Sequence, residues 1–418
     1  MRDTPFFARV LVAQDCLTAI VAAIVVSRRT KRGTGEGHRP RLLLIATEGD
    51  GNVGDHAMLV SIVRNSGMPV TIVCNRVSVF DHLQFGCEVG WLQLSSLVDR
   101  GPLRRQRDVW HYMRASAQHT HNGVIGADVM DGRYFATSSL SRCSLLLGAA
   151  LQGNKVAVFG FSWSDRPLRS ATFALSRLAK AGGLLFVREP TSYERLSKSG
   201  IKNLRLVADV AFLLGDSRPG EKLPSRDTGA PRVFVNVSGL VDKHGVSLNV
   251  YTNLIEHLLR GVYTVQVIPH VIRREDSDLI PQTELESILP PSLRVDYEQD
   301  LLTPDGVTRR IRAATVVVTG RMHLGILAMS QGIPAIIVNT NGKAEGVYRL
   351  FGLPDLSVEL SRMRVSEAAL TEQVIKLEQI GIDRVADTLR DNLPTVRNAA
   401  AKNFDWLTMT DEAANTPQ

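Results

Sequence analysis

The chain has 418 residues, too many for one ordinary core and suited to two domains. Hydrophobic residues make up 44% and charged residues 22%, a globular balance that excludes a disordered or fibrous chain. The formal net charge of +7 is concentrated at the start, where residues 1–40 carry seven cations (Arg2, Arg9, Arg28, Arg29, Lys31, Arg32, Arg39) against Asp3, Asp15 and Glu36. A nucleic-acid binder carries its basic stripe on a folded domain, so no nucleic-acid partner is expected. A basic arm points instead to contact with an anionic membrane surface through residues 1–40, or to a solvated tail.

Cys16, Cys74, Cys87 and Cys143 form no Cys-x-x-Cys pair and no zinc-binding spacing with histidine. They read as reduced thiols of a cytoplasmic protein, and no metal is expected.

Leu17–Val26 is the one strongly apolar run. It is shorter than the roughly 20 residues that span a bilayer. Charges interrupt it as a signal peptide. It reads either as an interfacial helix flanked by Arg28, Arg29, Lys31 and Arg32, or as a helix packed on the first domain.

From Arg41 the pattern alternates strand and helix. Strands are predicted at Leu42–Ala46, Val70–Cys74, Gly90–Leu94, Gly123–Gly126, Val156–Phe159, Leu184–Val187 and Leu204–Val207. Helices are predicted at Asp55–Arg64, Leu140–Leu151 and Ser192–Ser199. Several strands are apolar throughout, the mark of a parallel sheet covered on both faces. Asp216–Pro231, rich in Pro, Gly and charge, reads as a linker. Strands resume at Arg232–Val237, Thr264–Ile268, Arg294–Tyr297, Ala314–Val318 and Ala335–Val338. The expected fold is α/β, with two Rossmann-like doubly wound domains facing a cleft. The arm covers 1–40, the first domain 41–215, the linker 216–231, the second domain 232–384 and a helical tail 385–418. Ligands of such sheets bind beyond the strand C-termini.

Four segments carry polar residues at such positions. In TEGDGNVGDHAML (Thr47–Leu59), Gly49, Gly51 and Gly54 spell the dinucleotide pattern, but the next strand ends Cys74-Asn75-Arg76 without the acid that holds a ribose. An NAD site is therefore disfavoured. A tight loop at a helix N-terminus remains, with Asn52 and Asp55 as candidate binding residues or Asp55 as an N-cap. In GADVMDGRY (Gly126–Tyr134), Asp128 and Asp131 could orient sugar hydroxyls or accept a proton, or could stabilise turns. In LFVREPTSYERLSKSG (Leu185–Gly200), Arg188 ends a strand, where its planar fork suits carboxylate or phosphate; the alternative is a structural pair with Asp209. Thr191 and Glu194 suggest a capping box. In Ala314–Leu353, Gly320 turns the chain after a buried strand. Arg321 and His323 then open a helix, and Lys343 lies in the next strand's exit loop. An Arg, a His, a helix N-terminus and a Lys near one point suit a polyanion.

These segments, in this order, resemble the polysaccharide pyruvyl transferase family. The resemblance lies in Asn52, Gly54 and Asp55; in Arg188, Glu189, Ser192 and the downstream Asp209; and in Arg321, His323 and Lys343. It covers most of residues 41–355. It implies a shape like GT-B glycosyltransferases, with the acceptor on the N-terminal domain and phosphoenolpyruvate on the C-terminal one. It also implies transfer of the enolpyruvyl unit of phosphoenolpyruvate, a co-substrate, to a glycan or lipid-linked saccharide as a ketal, without a cofactor. Arg321, His323 and Lys343 are the implied phosphoenolpyruvate-binding and catalytic residues. The family's Gly-Gly at the third strand is Gly126-Ala127 here, and residues 1–40 have no family counterpart.

Phosphoenolpyruvate carries a carboxylate and a phosphate, which Arg188, Arg321 and Lys343 could meet. Its methylene carbon must be protonated, and His323 is the expected general acid. Replacing Arg321 or His323 by alanine should then abolish turnover with little loss of fold, both being cleft residues. Two other readings remain: a GT-B glycosyltransferase using a nucleotide sugar, for which Glu345 is a poor ribose-binding acid, and a non-catalytic glycan- or anion-binding module.

Overall fold

A computed structural model describes residues 17–26, 39–47, 50–95, 97, 102–133, 136–214, 230–274, 276–339 and 343–408. Cys16, Gly49, the cations Arg2, Arg9, Arg28, Arg29, Lys31 and Arg32, most of the expected linker and the last ten residues of the tail lie outside them. The described residues divide into two compact units. The first takes those within Met1–Glu48, Leu59–Val210 and Ala401–Gln418, and the second those within Gly49–Met58 and Ala211–Ala400.

The first unit is built on a seven-stranded sheet: β1 (Leu42–Ile45), β2 (Val70–Cys74), β3 (Gly90–Gln93), β4 (His121–Ala127), β5 (Lys155–Phe161), β6 (Leu184–Val187) and β7 (Leu204–Leu206). Its order is β3-β2-β1-β4-β5-β6-β7, and every pair is parallel. The central strands β1 and β4 are buried along their whole length, which is why β1 reads as an unbroken apolar run and β4 is apolar or glycine after His121 and Asn122. On one face Phe159 packs with Phe186, Phe404 and Trp406, while Asn403 accepts from Gly160 N and donates to Ala208 O. Residues 403–406 are thereby fixed to this sheet.

The second unit has six parallel strands: β8 (Arg232–Asn236), β9 (Thr264–Val267), β10 (Val295–Tyr297), β11 (Val316–Thr319), β12 (Ala335–Asn339) and β13 (Val358–Glu359). The order is β10-β9-β8-β11-β12-β13. Both sheets are therefore doubly wound, with the strand order reversing at β1/β4 and at β8/β11. Exit loops part at such a reversal and leave a crevice for ligands.

Three local expectations are corrected. The helix expected at Leu140 begins at Ala136, because Ser138, Ser139 and Ser141 are buried within it. The helix expected at Ser192–Ser199 spans Pro190–Lys198, with Glu189 rather than Thr191 as its N-cap. The Glu189 carboxylate accepts from Ser192 N, and Pro190 supplies a pre-set φ at the first position. The two-residue β13 is too short for periodicity to have signalled it.

Candidate functional site

The β8/β11 reversal organises the second unit's polar residues. Thr319 closes β11 in register with Asn236 at the end of β8, and its hydroxyl lies 3.2 Å from Asn236 Oδ1. The chain then turns through Gly320, and the helix Met322–Met329 begins, with Arg321 as its N-cap residue and no side chain capping it. The first N–H groups of such a helix lack intrahelical partners.

Arg321 is buried and held on four sides. Its Nε and Nη2 donate to Asp278 Oδ1 (3.1 and 2.7 Å); its Nη1 and Nη2 donate to Asp276 Oδ2 and Oδ1 (2.9 and 2.7 Å). Burial works against its charge, but the two carboxylates outweigh burial and raise its pKa above the usual arginine value. Asp276 also accepts from Arg273 Nη2 at 2.8 Å. Burial alone would raise the Asp276 pKa, but the bonds and charges of Arg321 and Arg273 bring it down to about 2.

Asp278 is the hub. Besides Arg321 it accepts from Asn236 Nδ2, Gly239 N, His270 N and Val271 N, each within 3.0 Å. One carboxylate thus ties together the exits of β8, β9 and β11. The expectation that Arg321 could be lost with little effect on the fold is corrected here: it is a buried ion-pair partner, and removing it strands two acids.

His323, two residues on, is only half buried. A Cβ added to Gly54 would lie 2.6 Å from its Cβ, Cγ and Nδ1, so the imidazole rests against glycine backbone. That glycine is the second residue of the helix Val53–Asn65, and its N–H donates to Asn52 Oδ1 at 3.0 Å, while Asn52 Nδ2 donates to Asp55 Oδ2. Asn52, not Asp55, caps the helix. Gly51 (φ +68°) has another reason to be glycine: a Cβ there would lie 1.9 Å from Ile272 O, because Asn52 bridges antiparallel to Val271. These glycines serve backbone-to-backbone and backbone-to-imidazole approach.

His270 completes the group. It is fully buried, and neither ring nitrogen has a hydrogen-bond partner among the described residues. Burial, then the charges of His323, Arg321 and His56, push its pKa well below the usual histidine value, so the ring is neutral. The sequence reading missed His270, Asp276 and Asp278. The available signal was PHVIRREDSD just after a strand, an acid pair two apart at a ligand-facing edge. Lys343 is buried before the helix Ala344–Leu350, its N–H donating to Asn339 Oδ1 at 3.2 Å.

In the first unit, Arg188 ends β6 and is equally enclosed. Its Nε donates to Ser162 Oγ, its Nη1 to Asp209 Oδ2 and its Nη2 to Asp128 Oδ1, each at 2.7 Å. The Arg188–Asp209 pair is the structural alternative raised from sequence. Burial opposes the charge of Arg188, and Asp128 and Asp209 outweigh it, raising the pKa. The Asp128 side chain keeps 31% exposure while that of Arg188 keeps 2%. Asp131 is buried in a turn, accepting from Arg133 N and Ser164 N. Ala127, where the family pattern has glycine, sits at φ +43°.

The structure thus brings Asn52, Gly54, Asp55, Arg321 and His323 together in the second unit, with Arg188, Asp128 and Asp131 in the first. A family model described as polysaccharide pyruvyl transferase matches residues 124–342. No curated protein sequence matches the chain. Solved structures resemble it in fold. A glycosyltransferase from Rickettsia africae has TM-score 0.56 at 12% identity, over 89% of this chain and 98% of that one. The UDP-GlcNAc 2-epimerase from Neisseria meningitidis, solved with UDP-GlcNAc, has TM-score 0.55 at 9% identity, over 88% and 99%. MurG from Acinetobacter baumannii has TM-score 0.53 at 13% identity, over 88% and 99%. These likenesses establish a GT-B-type pair of α/β units.

Proposed function

Because the chain belongs to the polysaccharide pyruvyl transferase family, we propose that it moves the enolpyruvyl unit of phosphoenolpyruvate onto two hydroxyls of a saccharide, forming a pyruvate ketal and releasing phosphate. The observation that carries this reading is His323, a half-exposed imidazole at the mouth of an uncapped helix, braced by Gly54 on one side and preceded by an immobilised Arg321.

In this reading His323 gives a proton to the methylene carbon of phosphoenolpyruvate. Positive character builds on the neighbouring carbon, and a sugar hydroxyl attacks there. The C–O bond to phosphate breaks, and a second hydroxyl replaces phosphate to close the ketal. The proton from His323 turns the methylene into a methyl, phosphate leaves with its oxygen, and of the two protons the hydroxyls release to a base, one restores His323 and the other leaves with phosphate. A proton donor placed this way contributes roughly a hundredfold to ten-thousandfold.

Arg321 acts chiefly as an anchor, since Asp276 and Asp278 balance its charge. The helix N-terminus and His323 are the groups offered to the substrate anions, and the neutral His270 lies buried behind them. Arg188, Lys343, Asn52, Asp55, Asp128 and Asp131 enter as further substrate-binding residues. The acceptor is a glycan or lipid-linked saccharide, and the enzyme works in the cytoplasm or at the inner membrane face.

The test is phosphate release from phosphoenolpyruvate in the presence and absence of a saccharide acceptor, beside UDP release from UDP-sugars. Acceptor-dependent phosphate release supports the reading. UDP release without it would replace the reading by glycosyl transfer.

A further inference from the structure

The helix at residues 17–26 is built the opposite way from an ordinary surface helix. Ala19, Ala22 and Ala23 are buried in the first unit's core and Val26 is buried too, while three large residues point out: Leu17 is 64% exposed, Val21 44% and Ile24 45%. Spacings of four and three put these three side chains on one stripe, with half-buried Ile20 between them. A helix that only covered a core would carry polar residues there.

The neighbouring helix, Pro102–Ser116, enters the same core through Val109, Tyr112 and Met113. Its solvent side carries Arg104, Arg107 and Arg114, with half-buried His111 in the same stripe; the one acid, Asp108, is half buried. A Cβ added to Gly148 would lie 2.8 Å from Met113 Sδ and 3.2 Å from Ala19 Cβ, so both helices seat on the same point of the helix Ala136–Leu151. Two neighbouring helices thus expose an apolar stripe on one and a basic stripe on the other. In sequence the apolar stripe is followed at once by Arg28, Arg29, Lys31 and Arg32.

We propose that this face of the first unit docks on an anionic lipid surface, with Leu17, Val21 and Ile24 entering the acyl boundary and Arg104, Arg107 and Arg114 meeting headgroup phosphates. Large aliphatics with a basic border are the chemistry of a helix lying in a membrane interface. No helix among the described residues is long and apolar enough to cross a membrane, which leaves docking rather than spanning as the mode for these residues. A second copy fits poorly, because a two-fold contact through this face would bring arginine stripes together. A nucleic acid would leave the aliphatics without a partner. The proposal does not depend on the transfer reading, since binding to vesicles is measured without substrate.

The test is flotation of the full chain with vesicles of 30% phosphatidylglycerol in phosphatidylcholine, and with phosphatidylcholine alone, at low and high salt. The expected result is binding to the anionic vesicles only, weakened by salt. Affinity should fall at least tenfold in Leu17→Ser/Val21→Ser/Ile24→Ser and at least tenfold in Arg104→Gln/Arg107→Gln/Arg114→Gln, with melting temperatures unchanged. The arginine triple removes only exposed charges and keeps the test open should the serine triple fold poorly. Equal binding to both vesicle types, binding unaffected by either triple, no binding at all, or a dimer that the serine triple converts to monomer would each overturn the proposal.

Discussion

Arg188 in the first unit and Arg321 in the second are the same device used twice. Each leaves a parallel strand beside the sheet's interior, each is buried, and each is clamped by two aspartates within about hydrogen-bond distance. They differ in what stands beside them. Arg188 has a hydroxyl, Ser162, and a partly exposed carboxylate, Asp128. Arg321 has imidazoles, the half-buried His323 two residues on and the buried His270, whose backbone N–H donates to Asp278. A strand-exit arginine in this fold is therefore not, by its position alone, an anion-binding group. Chemistry has to be read from the neighbours it fixes in place: a part-exposed carboxylate beside Arg188, and a half-buried imidazole beside Arg321.

The comparison breaks most easily at the arginines themselves. Arg321→Ala and Arg188→Ala should each destabilise the protein by about 3–5 kcal/mol, because each leaves buried carboxylates unpaired. Urea unfolding measures both, and a variant that unfolds with the wild type would show that its arginine is no anchor. Next in size is Gly54→Ala. The added methyl would press into the His323 ring, costing about 1–3 kcal/mol or displacing the imidazole, and turnover should fall more than stability. Wild-type turnover in that variant would remove the bracing contact from the account.

A smaller effect separates the carboxylates by pH. The Asp276 pKa is depressed to about 2, so its contribution is complete above the unfolded value near 3.8 and is lost as pH falls towards 2. Asp276→Asn should lower stability by about 1 kcal/mol or more at neutral pH and flatten the acid limb between pH 4 and pH 2. An unchanged acid limb in thermal melts would contradict the pairing. The smallest effect belongs to Ala127, which holds a left-handed φ that glycine adopts freely. Ala127→Gly should raise stability by about 0.5–1 kcal/mol, the relief of that strain less the entropy a glycine adds to the unfolded chain. A lower melting temperature would mean that packing of the methyl outweighs the strain.

What the sequence disclosed, and what it hid, follows from how far each signal reaches. The parallel sheets were legible because β1, β4 and β11 are buried on both faces and contain little but aliphatics along their middles. The Arg188–Asp209 pair was legible because the two residues end adjacent strands. The partners of Arg321 were not: Asp276 and Asp278 lie 45 and 43 residues earlier, in a loop that only the β9 exit brings alongside. The capping role of Asn52 was hidden because Asp55 suits a helix start equally well, and only the bond from Gly54 N to Asn52 Oδ1 decides between them. The outward face of residues 17–26 was hidden for a different reason. That run is apolar nearly all round, so periodicity carries no direction; the inward face is set by packing, with Ala19 close to Gly148 and Met113.

The central claim is that His323 delivers the proton that starts transfer. It is tested most directly by running the reaction in D2O with wild type and His323→Ala and following deuterium in the methyl group of the ketal. The account predicts one deuterium per transferred unit in the wild type, and formation slowed at least a hundredfold in a variant that melts at the wild-type temperature. Ketal formed by His323→Ala at the wild-type rate, or a product methyl without deuterium, would contradict it.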